Sequence, residues 1–371
     1  MKKTYRAYRF RLYPNKSQAE LINKTFGCCR FLYNRMLADK IDTYKKECRM
    51  LHNTPAQYKG TYPWLKEVDS LALANVQLHL QAAYKNFFSR PDTGFPKFRS
   101  KHHSRACYTT NVVNGNIRIT ADSRLKLPKL TPVRMILHRD VPDISKLKSV
   151  TVIREPSGKY FASLLYEQDV RENQAAAPVR EEKVLGMDFA MAGLAVFSDG
   201  SRAEYPMYYR RTEEKLAAEQ RKLSRCVKGS RNYVKQRVRV ARCHEKVRNQ
   251  RMDFQNKLIC ELAARYDAVV AEDLNMKAMS RSLHFGKSVM DNANGRFQRR
   301  LEEKLAEMGK TYVMIDRFFP SSKKCSCCGR IRKELSLSDR IYECECGYRG
   351  DRDVNAAVNL RKEGLRVLNC A

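Results

Sequence analysis

The chain has 371 residues, with 72 Lys+Arg against 40 Asp+Glu and a formal net charge of +32. Such an excess repels itself in a compact state unless a polyanion neutralises it, and nucleic acid is the polyanion it points to. A hydrophobic fraction of 43% with 15 Phe and 19 Tyr excludes a disordered basic tail, and no apolar run approaches the roughly 18 residues of a membrane span. Met1-Lys2-Lys3 opens a charged alternation unlike a signal sequence, so a cytoplasmic or nuclear protein is expected.

In chain order, Tyr8, Phe10 and Leu12 alternate with Arg9 and Arg11, predicting a half-buried strand with a basic outer face. Ser17 and Glu20 have capping-box spacing and predict a helix through Leu21, Ile22 and Phe26. A second helical pattern covers 71–88. Residues 105–170 switch to strands, with Asn114-Gly115 predicted as one hairpin turn and Pro156-Ser157-Gly158 as the turn of another. The first half therefore reads as β segments with a helical insert. Glu172–Glu182 is polar, Ala/Pro-containing and part of the chain's negative stretch, and it predicts an interdomain linker. Beyond it, residues 184–200 predict two strands joined by a tight turn, and 212–264 a basic helix pair broken near Gly229. Residues 267–274 predict a short buried strand ending in acids, 276–295 a mobile loop, 296–309 a helix and 353–361 a final helix. That order describes a mixed α/β sheet.

Five of the thirteen cysteines, Cys325, Cys327, Cys328, Cys344 and Cys346, fall within 22 residues and predict a metal site. Cys325-x2-Cys328-Gly329 and Cys344-x-Cys346-Gly347 resemble two zinc knuckles, since zinc takes four thiolates at about 2.3 Å. The second is one residue shorter and demands a tighter turn. Cys327 is expected to point away, its substitution for a ligand being left open. Four thiolates leave no open coordination position, so one structural Zn²⁺ is expected; a set of buried reduced thiols is the plainer alternative.

Three acids stand out by context. Asp188 sits inside the apolar run Leu185-Gly186-Met187-Asp188-Phe189, Glu272 and Asp273 end Ala268-Val269-Val270-Ala271, and Asp351 and Asp353 precede a helix. An ionised carboxylate among apolar strands is costly unless paired or bound to metal. Parallel neighbours would bring Asp188 and Glu272 together, and a helix start would supply a third acid. Such hard oxygen donors suit a pair of Mg²⁺ ions about 3.5–4 Å apart in phosphodiester hydrolysis. Each acid also has an ordinary reading: a helix N-cap for Asp351 or Asp353, a solvated strand end for Glu272, a salt-bridge partner for Asp188. Between Arg221 and Arg248, eleven cations face one acid, Glu245, which favours phosphate contact over a mixed-charge solvated face. Phe95–Arg99 and Tyr5–Tyr13 interleave aromatics with cations, as surfaces that track a nucleic-acid backbone do.

GMDFAMAGLAVFSDG, VVAEDLNMKAM, FFPSSKKCSCCG and CGYRGDRDVNAAVNL, with YRFRLYPNKSQAELINKTFGCCRFLYN and FPKFRSK upstream, resemble the motifs of the TnpB (OrfB) family over nearly the whole chain. These are transposon-encoded RNA-guided nucleases, relatives of miniature type V CRISPR effectors. The resemblance implies a multidomain α+β chain: an N-terminal β-barrel (wedge) with a helical recognition insert, then a RuvC/RNase H-like α/β nuclease with a zinc-ribbon insert. It divides the chain into a wedge strand (1–15), the recognition insert (16–103), the wedge barrel (104–171), the linker (172–182), the nuclease (183–320 and 351–371) and the zinc ribbon (321–350). It assigns Asp188, Glu272 and Asp353 as catalytic acids holding two Mg²⁺, and Cys325, Cys328, Cys344 and Cys346 to one Zn²⁺. It implies a guide RNA from the transposon end, a double-stranded DNA target cut beside a short flanking motif, one protein per RNA, and action on the prokaryotic nucleoid. The alternatives are a nuclease-inactive RNA-guided DNA-binding repressor and a transposase or its accessory protein.

Overall fold

Strand β1 (Lys2–Tyr13) buries Phe10 and Leu12 and turns Arg9 outward, as its alternation predicts. In the computed structural model, residues 2–170, 179–190, 193–274, 291–336 and 339–369 are described. The chain divides into two compact units, 1–172 and 173–371. Residues 171–178 and 275–290, which hold most of the predicted linker and loop, lie outside the described residues.

The first unit is built on a seven-stranded antiparallel sheet. Its other strands are β2 (Ala106–Asn111), β3 (Arg118–Ile119), β4 (Arg124–Leu127), β5 (Leu130–Ile136), β6 (Leu147–Arg154) and β7 (Tyr160–Val170), in the order β2-β6-β7-β1-β5-β4-β3. The two edge strands, β2 and β3, are consecutive in the chain. Residues 112–117 join them and can span at most about 25 Å, less than the width of a flat seven-stranded sheet, so the sheet is curled, and no pairing joins its edges. Between β1 and β2 come helices α1 (Lys16–Glu47), α2 (Pro55–Thr61) and α3 (Ser70–Ser89), the expected helical insert. Leu32, Met36 and Leu37 of α1 and Leu73 and Leu80 of α3 share one core with the inner face of the sheet.

Two local expectations are corrected. Helix α1 is capped by Asn15, not Ser17: Asn15 Oδ1 accepts from Gln18 N, and Gln18 Oε1 accepts from Asn15 N, both at 2.9 Å. Asparagine is at least as good a cap as serine, and starting there gains about half a turn. Asn114 and Gly115 do form a turn, with φ of +49° and +68°, but they do not close a hairpin. β2 pairs with β6 and β3 with β4, because the turn sits inside the connection between opposite sheet edges. The β6–β7 hairpin forms as predicted, with Gly158 at φ +86°.

The second unit carries a five-stranded sheet ordered β10-β9-β8-β11-β12, from β8 (Val184–Asp188), β9 (Ala195–Phe197), β10 (Arg202–Ala203), β11 (Ala268–Glu272) and β12 (Thr311–Ile315). β8, β11 and β12 run parallel; β8 and β11 are apolar and buried up to their terminal acids, as strands covered on both faces must be, whereas the edge strand β12 leaves Met314 exposed. Helices α4 (Tyr208–Ser224), α5 (Arg231–Arg265), α6 (Asn294–Glu307) and α7 (Arg352–Asn369) complete the described part of the unit, with a small β13 (Ile341–Glu343)–β14 (Arg349–Asp351) hairpin before α7. The α4–α5 break falls at Gly229, φ +86°. Helix α7 lies directly on the sheet. A Cβ on Gly186 of β8 would come within 1.9 Å of Ala357 O, and one on Gly364 of α7 within 2.3 Å of Val270 Cγ2. Among the described residues, no helix is long and apolar enough to cross a membrane.

Candidate active site and metal centre

Asp188 ends β8 and Glu272 ends β11. Their parallel register pairs Met187 with Ala271, so the next residues, both acids, emerge side by side at the carboxyl edge of the sheet. Helix α7 supplies the third acid. Its contact at Gly186 involves Ala357, and Asp353 lies one turn earlier, toward Asp188. Burial pushes the Asp188 carboxyl well above the usual carboxylate range, helped by the charges of Glu272 and Asp353 and opposed by Arg352. Burial also raises Glu272, against a hydrogen bond from Ser321 Oγ. Arg352 donates to Asp353 Oδ1 at 3.3 and 3.4 Å. The three acids share one locus through charge. Among the described residues, the group of His, Cys, Asp and Glu side chains placed closely enough to hold an ion as they stand is the cysteine cluster, not the three acids. A buried Asp188 beside the charges of Glu272 and Asp353, with Glu272 itself largely desolvated, offers hard oxygen donors of the kind a divalent cation binds.

The neighbouring acids are used otherwise. Asp351 caps α7, its Oδ1 accepting from Asp353 N and Val354 N at 3.0 Å, and its Oδ2 binds Arg202 at 2.7 Å. Asp273 pairs with Arg317. Asp291, an acid that no local sequence signal marks, is buried and satisfied by Tyr205 OH at 2.9 Å and the first amides of α4.

The sulfurs of Cys325, Cys328, Cys344 and Cys346 all lie within 4.8 Å of one another, with Cys325–Cys346 at 3.7 Å and Cys328–Cys344 at 3.6 Å. A tetrahedron with metal–sulfur bonds of about 2.3 Å has edges of about 3.8 Å, so the set matches zinc. The Arg330 amide pulls the Cys328 thiol down to about 7, while burial and hydrogen bonds among the crowded thiols hold Cys344 up and Cys346 at about 12, so one sulfur of the set carries the charge first. Cys327 is exposed and outside the group. The short second knuckle is accommodated by a tighter turn: Gly347 N bonds Cys344 O across three residues, whereas Gly329 N bonds Cys325 O across four. Both glycines have positive φ, +77° and +88°.

Sequence reasoning missed how α7 grips this knuckle. Asn355 accepts from Ser326 N at 2.9 Å and donates to Lys324 O at 2.8 Å; one turn on, Asn359 donates to Ser321 O at 2.9 Å and Lys324 O at 2.6 Å. Both asparagines are buried. Ser321 also bonds Glu272, so one helix and one loop tie the cysteine cluster to the acids. All eleven cations between Arg221 and Arg248 are exposed, whereas Glu245 is buried. In the first unit, a cavity of about 320 Å³ is lined by Arg30, Arg99, Lys101, Arg105 and Arg154, with no carboxylate in its wall.

Comparison with known proteins gives three family matches. The OrfB_IS605 family, described as "Probable transposase", matches residues 163–283. The "Cas12f1-like, TNB domain" matches 295–360, and the "Helix-turn-helix domain" of OrfB_IS605 proteins matches 1–48, here β1 and a single 32-residue helix. A Streptomyces pristinaespiralis protein named "Putative RNA-guided DNA endonuclease" is 34% identical over 100% of this chain and 92% of its own length. "Putative RNA-guided DNA endonuclease InsQ" of Escherichia coli K12 is 30% identical over 99% of this chain and 94% of its own length. A solved Cas12f1–sgRNA–target DNA complex resembles the chain in fold, with a TM-score of 0.54 at 13% identity, covering 97% of this chain and 99% of that one.

Proposed function

Since the chain belongs to the TnpB (OrfB) family, we propose that it is an RNA-guided DNA endonuclease that cuts both strands of a DNA duplex beside a short flanking motif. The observation that carries this reading is the meeting of Asp188 and Glu272 at the sheet edge with Asp353 from α7, where burial and the two neighbouring acids hold Asp188 above its usual range. Asp188, Glu272 and Asp353 would hold Mg²⁺, which would supply Lewis-acid stabilisation to the oxygens of a phosphodiester. Ser321 and Arg352 orient Glu272 and Asp353, and the carboxyl edge of the sheet leaves them facing the incoming strand. Cys325, Cys328, Cys344 and Cys346 hold one zinc ion, closed to substrate, that fixes the loop bearing Ser321.

In this reading residues 1–171 hold a guide RNA from the transposon end and the DNA it pairs with, residues 183–320 and 351–371 cut, and 321–350 form the ribbon, one protein acting per RNA. Base pairing then reads sequence, while the cationic surfaces hold backbones. Asp188→Ala should abolish guide-directed cleavage in Mg²⁺ and leave RNA and DNA binding intact. Cleavage at the wild-type rate would overturn the assignment, and intact binding with no cutting by the wild-type chain would favour a repressor.

A further inference from the structure

The loop from β12 to the first cysteine knuckle carries a side chain with no role in packing. Phe318 is 85% exposed, the most exposed large apolar side chain among the described residues. It forgoes the burial that a ring of its size normally gains. Yet the loop beneath it is fixed on both sides. Before it, Arg317 pairs with Asp273, whose own amide bonds Ile315 O at 2.9 Å. At the residue itself, Phe318 N donates to Asp316 Oδ1 at 2.8 Å. After it, Phe319 N bonds Asp316 O at 3.0 Å and the Phe319 ring packs on the core of Val184, Val270 and Leu360. Two residues later, Ser321 reaches Glu272. A pinned loop therefore holds a bare aromatic ring three residues from a side chain that touches one of the acids.

An unpaired nucleobase fits this ring better than an apolar partner does. Arg317 is already paired with Asp273, but the exposed Lys323 and the half-buried Lys324 on the same loop provide charge for a phosphate backbone. A site whose sequence choice is delegated to guide pairing must hold its strand without reading it. Stacking meets that requirement, because every base has a π face. We infer that Phe318 is a stacking post for an unpaired base of the DNA strand delivered to Asp188, Glu272 and Asp353, a substrate-positioning residue that takes no part in bond breaking. This rests on the nuclease reading above.

The test uses the ribonucleoprotein with its copurified RNA, that RNA having been sequenced, and a partly single-stranded DNA matching its guide segment. In EDTA, Phe318→Trp should show tryptophan emission quenched by this DNA beyond the quenching of the wild type, which has its one Trp elsewhere. In Mg²⁺ at subsaturating DNA, Phe318→Ala should cut about 5- to 140-fold more slowly, the worth of one base–aromatic stack. Phe318→Tyr and Phe318→Trp should stay near wild type, and Phe318→Leu should fall with alanine. Absent quenching together with a fully active Phe318→Ala overturns the stacking post, as does a Phe318→Leu variant equal to Phe318→Trp. Quenching with no cutting by the wild type leaves the post standing and overturns the nuclease instead.

Discussion

Replacing Gly186 with alanine should loosen the second unit and disable its acid site together. The added Cβ would stand 1.9 Å from Ala357 O, 2.7 Å from Arg361 N and 2.9 Å from Arg361 Cβ. The first two are main-chain atoms of α7, which cannot rotate away. Carbon contacts settle at about 3.5–4.0 Å, so the helix must withdraw by more than about 1 Å. Overpacking of this kind costs about 1–3 kcal/mol, which for a unit of this size lowers the melting temperature by about 2–12 °C. Asp353 rides on the same helix one turn from Ala357, and a displacement of about 1 Å at a reacting centre can cost about 100-fold in rate. Single-turnover cleavage, thermal melting and guide-RNA binding should be measured together, with Gly364→Ala as comparison. That variant meets the Val270 side chain three turns from Asp353, so it should melt early and lose less activity. A Gly186→Ala protein that melts and cuts like the wild type would refute the claim that close packing of α7 sets the position of Asp353.

Two further outcomes follow from the same unit. Cys325→Ser and Cys344→Ser should each lower bound zinc and melting temperature, since structural zinc contributes folding free energy directly; unchanged zinc per chain in both, measured by atomic absorption, would sink the ligand set. Asp188 has a folded-state pKa above its unfolded value, so the folded chain is penalised as pH rises above about 4, where the unfolded carboxyl ionises. In chelator-treated protein, Asp188→Asn should therefore raise the melting temperature at pH 7–8, with the gain vanishing near pH 4. An equal gain at both pH values would contradict this.

The chemistry of the site was more legible than its carpentry. Acids among apolar residues and cysteines before glycines declare themselves because each is costly or reactive where it stands. The parallel neighbours β8 and β11 were readable from two short apolar runs ending in acids. Whether Asp351 or Asp353 was the cap could not be settled by spacing; the amides of Asp353 and Val354 decide it by bonding Asp351. Gly186 carried an available signal, a glycine inside a strand marking a close backbone approach. Asn355 and Asn359 carried another, two amides one turn apart on a helix face. Their partners, Ser326, Lys324 and Ser321, are thirty or so residues away, and nothing local identifies them. The Asn114-Gly115 hairpin failed for a related reason: turn chemistry fixes two dihedrals, whereas strand pairing depends on the whole sheet order.

The Gly186 contact also bears on how the protein is made. Asp188 leaves the ribosome long before α7 does, on the order of ten seconds or more at typical rates of synthesis. Until α7 arrives, the strand is a bare glycine-notched ribbon and the notch that takes Asp353 is empty. In the proposed reading, a chain arrested before α7 lacks Asp353 and the helix that seats it, and should not cut. If the three acids cut as proposed, cleavage is possible only after synthesis has passed the cysteine knuckles, so the order of elements along the chain delays the activity until the last helix is made.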